Sequence, residues 1–194
     1  MHVIFATQNP NKVLEIQNQV GELHTIQSLL DLNYLEELEE TQDTLQGNAL
    51  QKARFVYQKF GKACFADDTG LEIDALNGEP GVYSARYGGP EKSFEKNMDL
   101  VLSKLEGLEN RSAQFRTAIA LIDDHGVEYL FEGVCSGDIL KDKIGDEGFG
   151  YDPIFRPERL EISFAQMDIH QKEKISHRGL AVNKLVKFIN SNLK

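Results

Sequence analysis

The chain has 194 residues, of which 41% are hydrophobic and 27% are charged, and its formal net charge at pH 7 is −10. That length suits one generous domain, or one domain with two lobes, and the composition supports a buried core. The negative charge argues against binding duplex nucleic acid through phosphate contacts, so metal ions and a few Lys or Arg residues would have to bind any anionic ligand locally.

The beginning of the chain predicts a strand, a polar loop and a helix. Residues 3–6 form a continuous apolar run, which is typical of a buried strand. Residues 7–11 have turn chemistry, and apolar residues then recur at helical spacing over residues 12–20. A loop between a strand and a helix points backbone N–H groups at the space above the strand end, which is a favourable site for phosphate.

A longer helix is predicted before a second buried strand. Residues 31–43 are acidic and weakly patterned, but from Thr44 apolar residues recur at helical intervals as far as Phe60. Gly61 can cap the end of this helix. Residues 63–66 predict a buried strand, and we expect it to end at the pair of aspartates that follows.

The rest of the chain continues the alternation of strands and helices. Asn77-Gly78 is a turn signal, and residues 145–151 are rich in glycine. The other predicted elements are a strand, a helix, an antiparallel hairpin and a final helix, at residues 71–76, 91–105, 114–122 with 127–134, and 180–189. Alternating strands and helices with one hairpin predict an α/β domain with a mixed sheet.

Neither the cysteines nor the apolar runs indicate an oxidising or membrane environment. Cys64 and Cys135 lack CxxC spacing, and reduced thiols are the expectation. The apolar run 3–6 is too short for a signal peptide or a membrane span, and no other long apolar run occurs. We therefore expect a cytoplasmic protein.

Two neighbouring carboxylates, Asp67 and Asp68, are unusual because like charges repel and folding gains little from placing them together. A divalent cation would remove that repulsion, and Glu39 or Glu40 could add oxygen ligands to a Mg²⁺ ion that also binds substrate phosphates. The alternatives are a turn after a strand for the aspartates and a solvated acidic run for the glutamates. The expected position of the aspartates at a strand end favours a metal site.

The polar loop near the start could hold a triphosphate through hydroxyl, amide, backbone N–H and ammonium groups. Its members are Thr7, Gln8, Asn9, Pro10, Asn11 and Lys12. The loop lacks the GxxxxGK[ST] pattern, so it is not a P-loop. The alternative is an ordinary capped helix, with Asn11 as the cap and Lys12 in solvent.

A glycine-flanked aromatic residue occurs later in the chain. Phe149 lies between Gly148 and Gly150, and Asp152 follows. A flexible backbone here could close Phe149 on a flat base, since base–aromatic stacking contributes roughly 1–3 kcal/mol. The alternative is a plain loop that enters a strand, with Phe149 and Tyr151 in the core.

Polar donors also cluster where the last helix is expected to start. Lys172 precedes the sequence Ser176-His177-Arg178-Gly179, which offers N–H groups and directional side-chain donors. The alternative is a capping Ser176 followed by an exposed His-Arg pair. A Ser-His nucleophile is not expected, because neighbouring residues face different ways and no matching acid or oxyanion motif accompanies them.

Together these motifs resemble the inosine triphosphate pyrophosphatase family, hydrolases of non-standard purine nucleoside triphosphates. Five blocks match its motifs in order: ATQNPNK at 6–12, NAxxKA at 48–53, DDTGL at 67–71 with PGVYSAR at 80–86, GFGYDPIF at 148–155, and ISHRG at 175–179. Any one block would be weak, whereas five in order cover nearly the whole chain and are highly specific.

The resemblance implies a fold and a reaction. The fold would be a two-lobed α/β structure around a long mixed sheet, with the active site in a cleft between the lobes and residues 1–194 forming one pyrophosphatase domain, usually in a homodimer. The reaction would be Mg²⁺-dependent hydrolysis of ITP, dITP and XTP to the nucleoside monophosphate and pyrophosphate, which cleanses the nucleotide pool.

The resemblance also implies roles for individual residues. Asp68 would be the catalytic base that activates water, and Asp68 and Glu40 would hold Mg²⁺, with Glu39 and Asp67 as close alternatives. The residues expected to bind substrate are Thr7, Gln8, Asn9, Pro10, Asn11, Lys12, Thr69, Phe149, Gly150, Tyr151, Asp152, Lys172, His177 and Arg178.

Selectivity for deaminated purines would rest on a fixed hydrogen-bond donor to the 6-oxo group, from His177 or Arg178, which the amino group of adenine would leave unpaired. Two other functions are alternatives to this one. One is a nucleotide-binding module without chemistry, against which the intact Asp67-Asp68 pair argues. The other is a related pyrimidine or modified-nucleotide pyrophosphatase.

Overall fold

A computed structural model describes residues 2–20 and 25–192 of the protein. Six strands form one sheet: β1 (His2–Phe5), β2 (Thr25–Ser28), β3 (Cys64–Ile73), β4 (Ser112–Ile122), β5 (Glu128–Ile139) and β6 (Phe155–Pro157). The helices are α1 (Pro10–Val20), α2 (Leu45–Phe60), α3 (Phe94–Lys104), α4 (Ile169–Ile175) and α5 (His177–Asn192).

The sheet is mixed, with strand order β2-β1-β3-β4-β5-β6. Strand β1 is parallel to both β2 and β3, whereas β6 is antiparallel to β5. Strands β4 and β5 are neighbours joined by a tight turn, in which Asp123 N–H donates to Val127 O at 3.1 Å. The predicted α/β fold with a mixed sheet and one hairpin is therefore confirmed.

The chain forms two compact units. Unit 1 contains the residues up to Asp68, Thr117–Gly133 and the residues from Arg178 onwards, and unit 2 contains Thr69–Arg116 and Val134–His177. Each unit has a hydrophobic core of its own. Three of the four boundaries fall within β3, β4 and β5, and the fourth lies between the first two residues of α5, His177 and Arg178.

The core of unit 1 forms around the apolar run that predicted β1. Phe5 and Phe65, which are register partners on β1 and β3, stack with their ring centroids 4.5 Å apart. Side chains from β4, α1 and α5 complete the cluster, including Ile119, Leu121, Ile16, Val182 and Leu185. Burying a side chain of this size stabilises the fold by about 1.5–3 kcal/mol, so this cluster fixes the position of β3.

The core of unit 2 is rich in aromatic side chains. Phe115 contacts Phe155 at 4.7 Å and Phe164 at 6.1 Å between ring centroids. Met98 and Val101 of α3 pack into the same cluster. These contacts hold α3 against the strands that frame the glycine-rich loop.

Helix α2 follows the predicted limits closely. The side chain of Thr44 accepts a hydrogen bond from Gly47 N–H, and Gly61 ends the helix in a left-handed conformation with φ 62°. The buried positions recur at helical spacing and include the polar Asn48 and Lys52. Residues four apart lie on the same helix face, so α2 directs an amide and an ammonium group into unit 1.

Strand β3 corrects one prediction. The sequence predicted a strand over 63–66 that ends at the aspartates and another over 71–76, but β3 runs unbroken from Cys64 to Ile73. Asp67 and Asp68 therefore lie in the middle of a strand and not at its end. Turn chemistry is overridden here because both carboxylates have buried cationic partners. The turn predicted at Asn77-Gly78 is present, with φ 54° and 87°.

The remaining helices differ from the sequence predictions mainly in their limits. Helix α3 begins three residues later than predicted, because Ser93 caps it by accepting from Lys96 N–H. Helix α5 begins at His177, earlier than predicted, and α4, β2 and β6 were not predicted. Asp168 and Gln171 form a capping box that starts α4. Among residues 2–20 and 25–192, no helix has both the length and the apolar character to cross a membrane.

Candidate active site

Asp67 lies at the centre of a buried ion-pair network in unit 1. Lys12 Nζ lies 2.8 Å from one carboxylate oxygen, and Arg178 Nε lies 3.3 Å from the other. Arg178 also contacts Glu15 at 2.5 Å. Burial alone would raise the pKa of Asp67, but the charges of Lys12 and Arg178 outweigh it and hold this pKa below its usual value. Asp67 is therefore ionised and held by two cations.

Asp68 has a separate set of partners on α2. Asn48 Nδ2 donates to one carboxylate oxygen at 3.0 Å, and Lys52 Nζ lies 3.6 Å from the other. Lys52 also donates to Glu40 Oε1 at 2.5 Å, so one ammonium group contacts two carboxylates. Burial raises the pKa of Asp68, opposed by Lys52 and reinforced by the charge of Glu40. This carboxylate takes up a proton more readily than an ordinary aspartate.

The alternation of side chains along a strand explains the two sets of partners. Consecutive residues of a strand point to opposite faces of the sheet. Asp67 meets cations from α1 and α5, and Asp68 meets an ammonium group from α2. The adjacent carboxylates are thus neutralised separately, which explains how both fit within a buried strand.

The carboxylates around Lys52 have the donor chemistry for a divalent cation. Glu40 and Asp68 both reach Lys52 Nζ, whereas Glu39 is exposed and Asp67 faces Lys12 and Arg178. In the described part of the chain, no group of three or more His, Cys, Asp or Glu side chains has the geometry of a metal site. Two carboxylates nevertheless suit Mg²⁺, which commonly takes one or two from the protein and completes its shell with water and phosphate oxygens.

The polar loop at residues 7–12 is organised by its own side chains. Thr7 Oγ1 accepts from Asn9 N–H at 3.2 Å, and Asn9 Oδ1 accepts from Asn11 N–H at 3.0 Å. The cap of α1 is therefore Asn9 and not Asn11, with Pro10 as the first helical residue. The side chain of Lys12 is only 16% exposed and pairs with Asp67, so the alternative of a solvated lysine is wrong.

Gln8, the remaining member of this loop, has a side chain that reaches a different part of unit 1. Its Nε2 donates to Tyr34 O at 3.1 Å and to Glu36 O at 2.9 Å. Both acceptors lie on the acidic stretch before α2.

Unit 2 contains a second polar cluster around Asp152. Its Oδ2 accepts from Lys172 Nζ at 2.6 Å and from Phe149 N–H at 2.8 Å. Lys172 Nζ also lies 5.1 Å from the centroid of the Phe149 ring. Gly148, with φ 76°, is required here because a Cβ would lie 2.1 Å from Asp152 Oδ2. The glycine-rich loop is thus closed tightly on a buried lysine–carboxylate pair.

The two aromatic residues of this loop are placed differently. The Tyr151 side chain is in the core and donates to Ser84 O at 2.7 Å, and burial raises its pKa. Phe149 is half-buried, with the partly exposed Phe94 ring 6.1 Å away. Among the four residues of this loop predicted to bind substrate, Phe149 and Gly150 are half-buried, whereas Tyr151 and Asp152 are buried.

His177 and Arg178 are adjacent in sequence but belong to different units. Both are 3% exposed, so the alternative of an exposed pair is wrong. His177 stacks on Phe115 with ring centroids 4.5 Å apart, whereas Arg178 joins the Asp67 network. Ser176 directly precedes His177, the first residue of α5. It ends α4, where its N–H donates to Lys172 O. Thr69 is half-buried on β3, directly after Asp68.

Three residues of the site were not among those predicted to act. Lys52 and Asn48 lie within the NAxxKA block, and their spacing of four on a helix could have indicated a shared face directed at β3. Glu15 is on α1, and its spacing from Lys12 places the two side chains on one side of that helix. Glu15 pairs with Arg178, which is distant from it in sequence, and local sequence patterns do not indicate such a contact.

Comparison with known proteins identifies close relatives over the whole chain. A family model described as the Ham1 family matches residues 3–188. The protein named dITP/XTP pyrophosphatase from Flavobacterium johnsoniae is 52% identical over 186 residues, covering 96% of this chain and 96% of that protein.

Solved structures agree with this assignment. The Staphylococcus aureus Ham1 protein is similar with a TM-score of 0.89 at 37% identity, covering 98% of this chain and 99% of that chain. A HAM1 protein from Coxiella burnetii has a TM-score of 0.90 at 34% identity, with the same coverage. The resemblance seen in the five motifs is confirmed, and the chain belongs to the Ham1 family.

Proposed function

We propose that the protein is a nucleoside triphosphate pyrophosphatase that hydrolyses ITP, dITP and XTP to the nucleoside monophosphate and pyrophosphate. The observation that carries the proposal is the cluster of Asp68, Lys52 and Glu40 in unit 1, in which Asp68 and Lys52 are buried and Glu40 is half-buried. The name dITP/XTP pyrophosphatase, borne by a relative 52% identical to this chain, supports the same substrates. Residues 1–194 act as one pyrophosphatase domain in this proposal.

Asp68 is the proposed catalytic base. Attack of water on the α-phosphorus forms a new P–O bond, breaks the bond to the oxygen that bridges to the β-phosphate, and releases pyrophosphate while Asp68 accepts the proton. The raised pKa of Asp68 supports this role, because a carboxylate with a higher pKa is a stronger base. Asn48 donates to one carboxylate oxygen and so orients the group.

The main electrostatic requirement of this reaction is stabilisation of the negative charge on the phosphate oxygens. The loop from Thr7 to Lys12 precedes and opens α1, where backbone N–H groups and the helix dipole favour an anion. Lys12 and Lys52 add two ammonium groups in unit 1. In our proposal these groups bind the phosphates, and Arg178 keeps Asp67 ionised beside Lys12.

A divalent cation is part of the proposal. Glu40 and Asp68 would hold Mg²⁺, which when bound neutralises charge on the phosphate oxygens. The contact of both carboxylates with one ammonium group supports this pair over Glu39 and Asp67. Thr69, directly after Asp68, would contact the substrate.

Recognition of the base is assigned to unit 2. Phe149 and Gly150 would pack against the base or sugar, with Tyr151 and Asp152 supporting the loop and Lys172 reaching the nucleotide. His177 is the favoured donor to the 6-oxo group, because the guanidinium of Arg178 already contacts Asp67 and Glu15. A donor fixed by stacking on an aromatic ring suits discrimination between an oxo and an amino group.

We also propose an oligomeric state and a cellular location for the protein. The Ham1 family resemblance leads us to propose a homodimer, which light scattering of the purified protein would test. A nucleotide-pool enzyme acts where nucleotides are made and used, so we propose the cytoplasm as its location.

A substrate panel tests the function. Pyrophosphate release with Mg²⁺ should give a kcat/KM for ITP, dITP and XTP that exceeds the value for ATP by roughly 10⁴-fold. Equal values for ITP and ATP would rule out the proposed selectivity. Preference for a pyrimidine triphosphate would favour the related pyrophosphatase, and nucleotide binding without any pyrophosphate release would favour a binding module.

A further inference from the structure

The acidic segment, defined as residues 34–40, carries the proposed metal ligand Glu40. No helix or strand covers it, so side-chain contacts determine its path. At its end, Lys52 contacts Glu40 Oε1 at 2.5 Å, and Gln51 Oε1 on the same helix accepts from Thr41 N–H at 3.0 Å. Helix α2 therefore holds the end of the acidic segment that leads into it.

The start of the acidic segment is held from the phosphate loop. Gln8 Nε2 donates to Tyr34 O at 3.1 Å and to Glu36 O at 2.9 Å. Both partners are carbonyl oxygens, so only the NH₂ group of the amide can make these bonds, and both of its donors are used. In addition, Leu29 N–H donates to Thr7 O at 3.1 Å.

Tyr34 provides a fixed point beside this contact. Its ring is buried, lies edge-on to Phe60 at 6.3 Å, and has Lys59 Nζ 4.5 Å from its centroid. The next residue, Leu35, is 77% exposed, and Glu36 is exposed as well. The amide of Gln8 thus holds the backbone where it leaves the core for solvent, beside Tyr34 O–H, which donates to Glu36 Oε2 at 3.1 Å.

We propose that Gln8 is a positioning residue that links the phosphate loop to the metal ligand. Its amide holds the acidic segment in the path that brings Glu40 beside Lys52 and Asp68. Gln8 thereby contributes to the proposed site through the backbone of Tyr34 and Glu36. This inference rests on the proposed function for the role of Glu40, but the contact itself can be tested independently.

Hydrogen–deuterium exchange of a peptide covering residues 34–42 tests the contact. Gln8→Met keeps the side-chain length and removes both donors, and Gln17→Met is the matched control because Gln17 is exposed on α1. We expect exchange of the Thr41 and Gln42 amides, whose N–H groups donate to Gln51 Oε1 and Asn48 Oδ1, to be roughly 5- to 30-fold faster in Gln8→Met, and unchanged in the control. Gln8→Glu should exchange faster still, since its carboxylate faces two carbonyl oxygens.

Enzyme assays on the same variants test the link to the metal. Gln8→Met should raise the half-saturating Mg²⁺ concentration by a larger factor than it raises KM for ITP. Unchanged exchange together with a raised KM would overturn the inference, because Gln8 would then act on the substrate directly. If the wild-type protein released no pyrophosphate but Gln8→Met still exchanged faster, the proposed function would fail and the positioning contact would stand.

Discussion

Asp67 and Asp68 share one strand, but their surroundings shift their pKa values in opposite directions. Asp67 is held by Lys12 and Arg178, which lower its pKa against the effect of burial. Asp68 has a raised pKa, a nearby Glu40 and one ammonium group shared between two carboxylates. The first carboxylate organises cations, and the second is suited to accept a proton.

Replacing Asp68 tests its role as the base. Asp68→Asn removes the proton acceptor but keeps the size of the side chain, so kcat for ITP should fall by ~10²–10⁴. Asp74→Asn is a matched control, because Asp74 is exposed after the same strand. A folded Asp68→Asn protein with near-normal turnover would remove the assignment.

Replacing Asp67 should act mainly on stability. Asp67→Asn removes the carboxylate that pairs with Lys12 and leaves Arg178 paired with Glu15, and losing one member of a buried ion pair costs about 3–5 kcal/mol. Urea unfolding should therefore show a much larger loss for Asp67→Asn than for Asp68→Asn, because the surroundings lower the pKa of Asp67 but raise that of Asp68. Equal losses in the two variants would contradict this division of roles.

At the residue scale, the sequence indicated candidate site residues but not which of them contact each other. The motifs indicated Asp68, the loop at Thr7–Lys12 and the loop around Phe149 as chemically active. They did not show that Lys52 joins Glu40 to Asp68, or that Arg178 pairs with Glu15. Those contacts join residues far apart in sequence. A single sequence shows how residues are spaced within a segment, but it does not show how close two segments lie in the folded chain.

At the scale of elements, α2 supplies the side chains that contact the proposed base, Asp68. It begins at a side-chain cap on Thr44 and directs Asn48 and Lys52 at β3. Its limits were predicted well, because the cap residue, the apolar period and Gly61 all indicate the same helix.

The cap of α2 can be tested separately from the chemistry. Thr44→Ala removes the acceptor for Gly47 N–H and should lower the free energy of unfolding by about 1 kcal/mol. Thr44→Ser keeps that acceptor and should change stability by less. Thermal unfolding of both variants measures the difference, and equal melting temperatures would show that the cap contributes nothing.

Strand β3 shows why some elements were not predicted. Two adjacent carboxylates with a glycine two residues later indicate a turn locally, but Lys12, Lys52 and Arg178 compensate the charges from outside the strand. Helix α4 was missed for another reason: its seven residues are too few to establish an apolar period.

At the scale of the whole molecule, a net negative charge is compatible with buried cations in unit 1. The chain has a formal charge of −10, yet Lys12, Lys52 and Arg178 are placed within a few ångströms of two aspartates. Net charge therefore indicates little about the ligand, because local cations determine what binds.

The two thiols test the packing of both units. Burial raises the pKa of Cys64 to about 12 and that of Cys135 to about 11. At pH 8 both should therefore react with a thiol reagent at least ~10²-fold more slowly in the native protein than in urea. Fast labelling of either cysteine without denaturant would contradict the packing of its unit.

The raised pKa values of the two thiols also determine how the stability of the protein changes with pH. The thiols ionise more easily in the unfolded chain, where their pKa is about 8.5. Their contribution to stability is therefore complete below that pH and is lost as the pH rises towards the folded values. Urea unfolding at increasing alkaline pH measures this loss.

The most direct test of the central claim is the identity of the products formed from ITP. Phosphorus NMR of the reaction with Mg²⁺ should show IMP and pyrophosphate in equal amounts, because the bond at the α-phosphorus is broken. Formation of IDP and orthophosphate would place the cleavage at the γ-phosphate and contradict the proposed reaction.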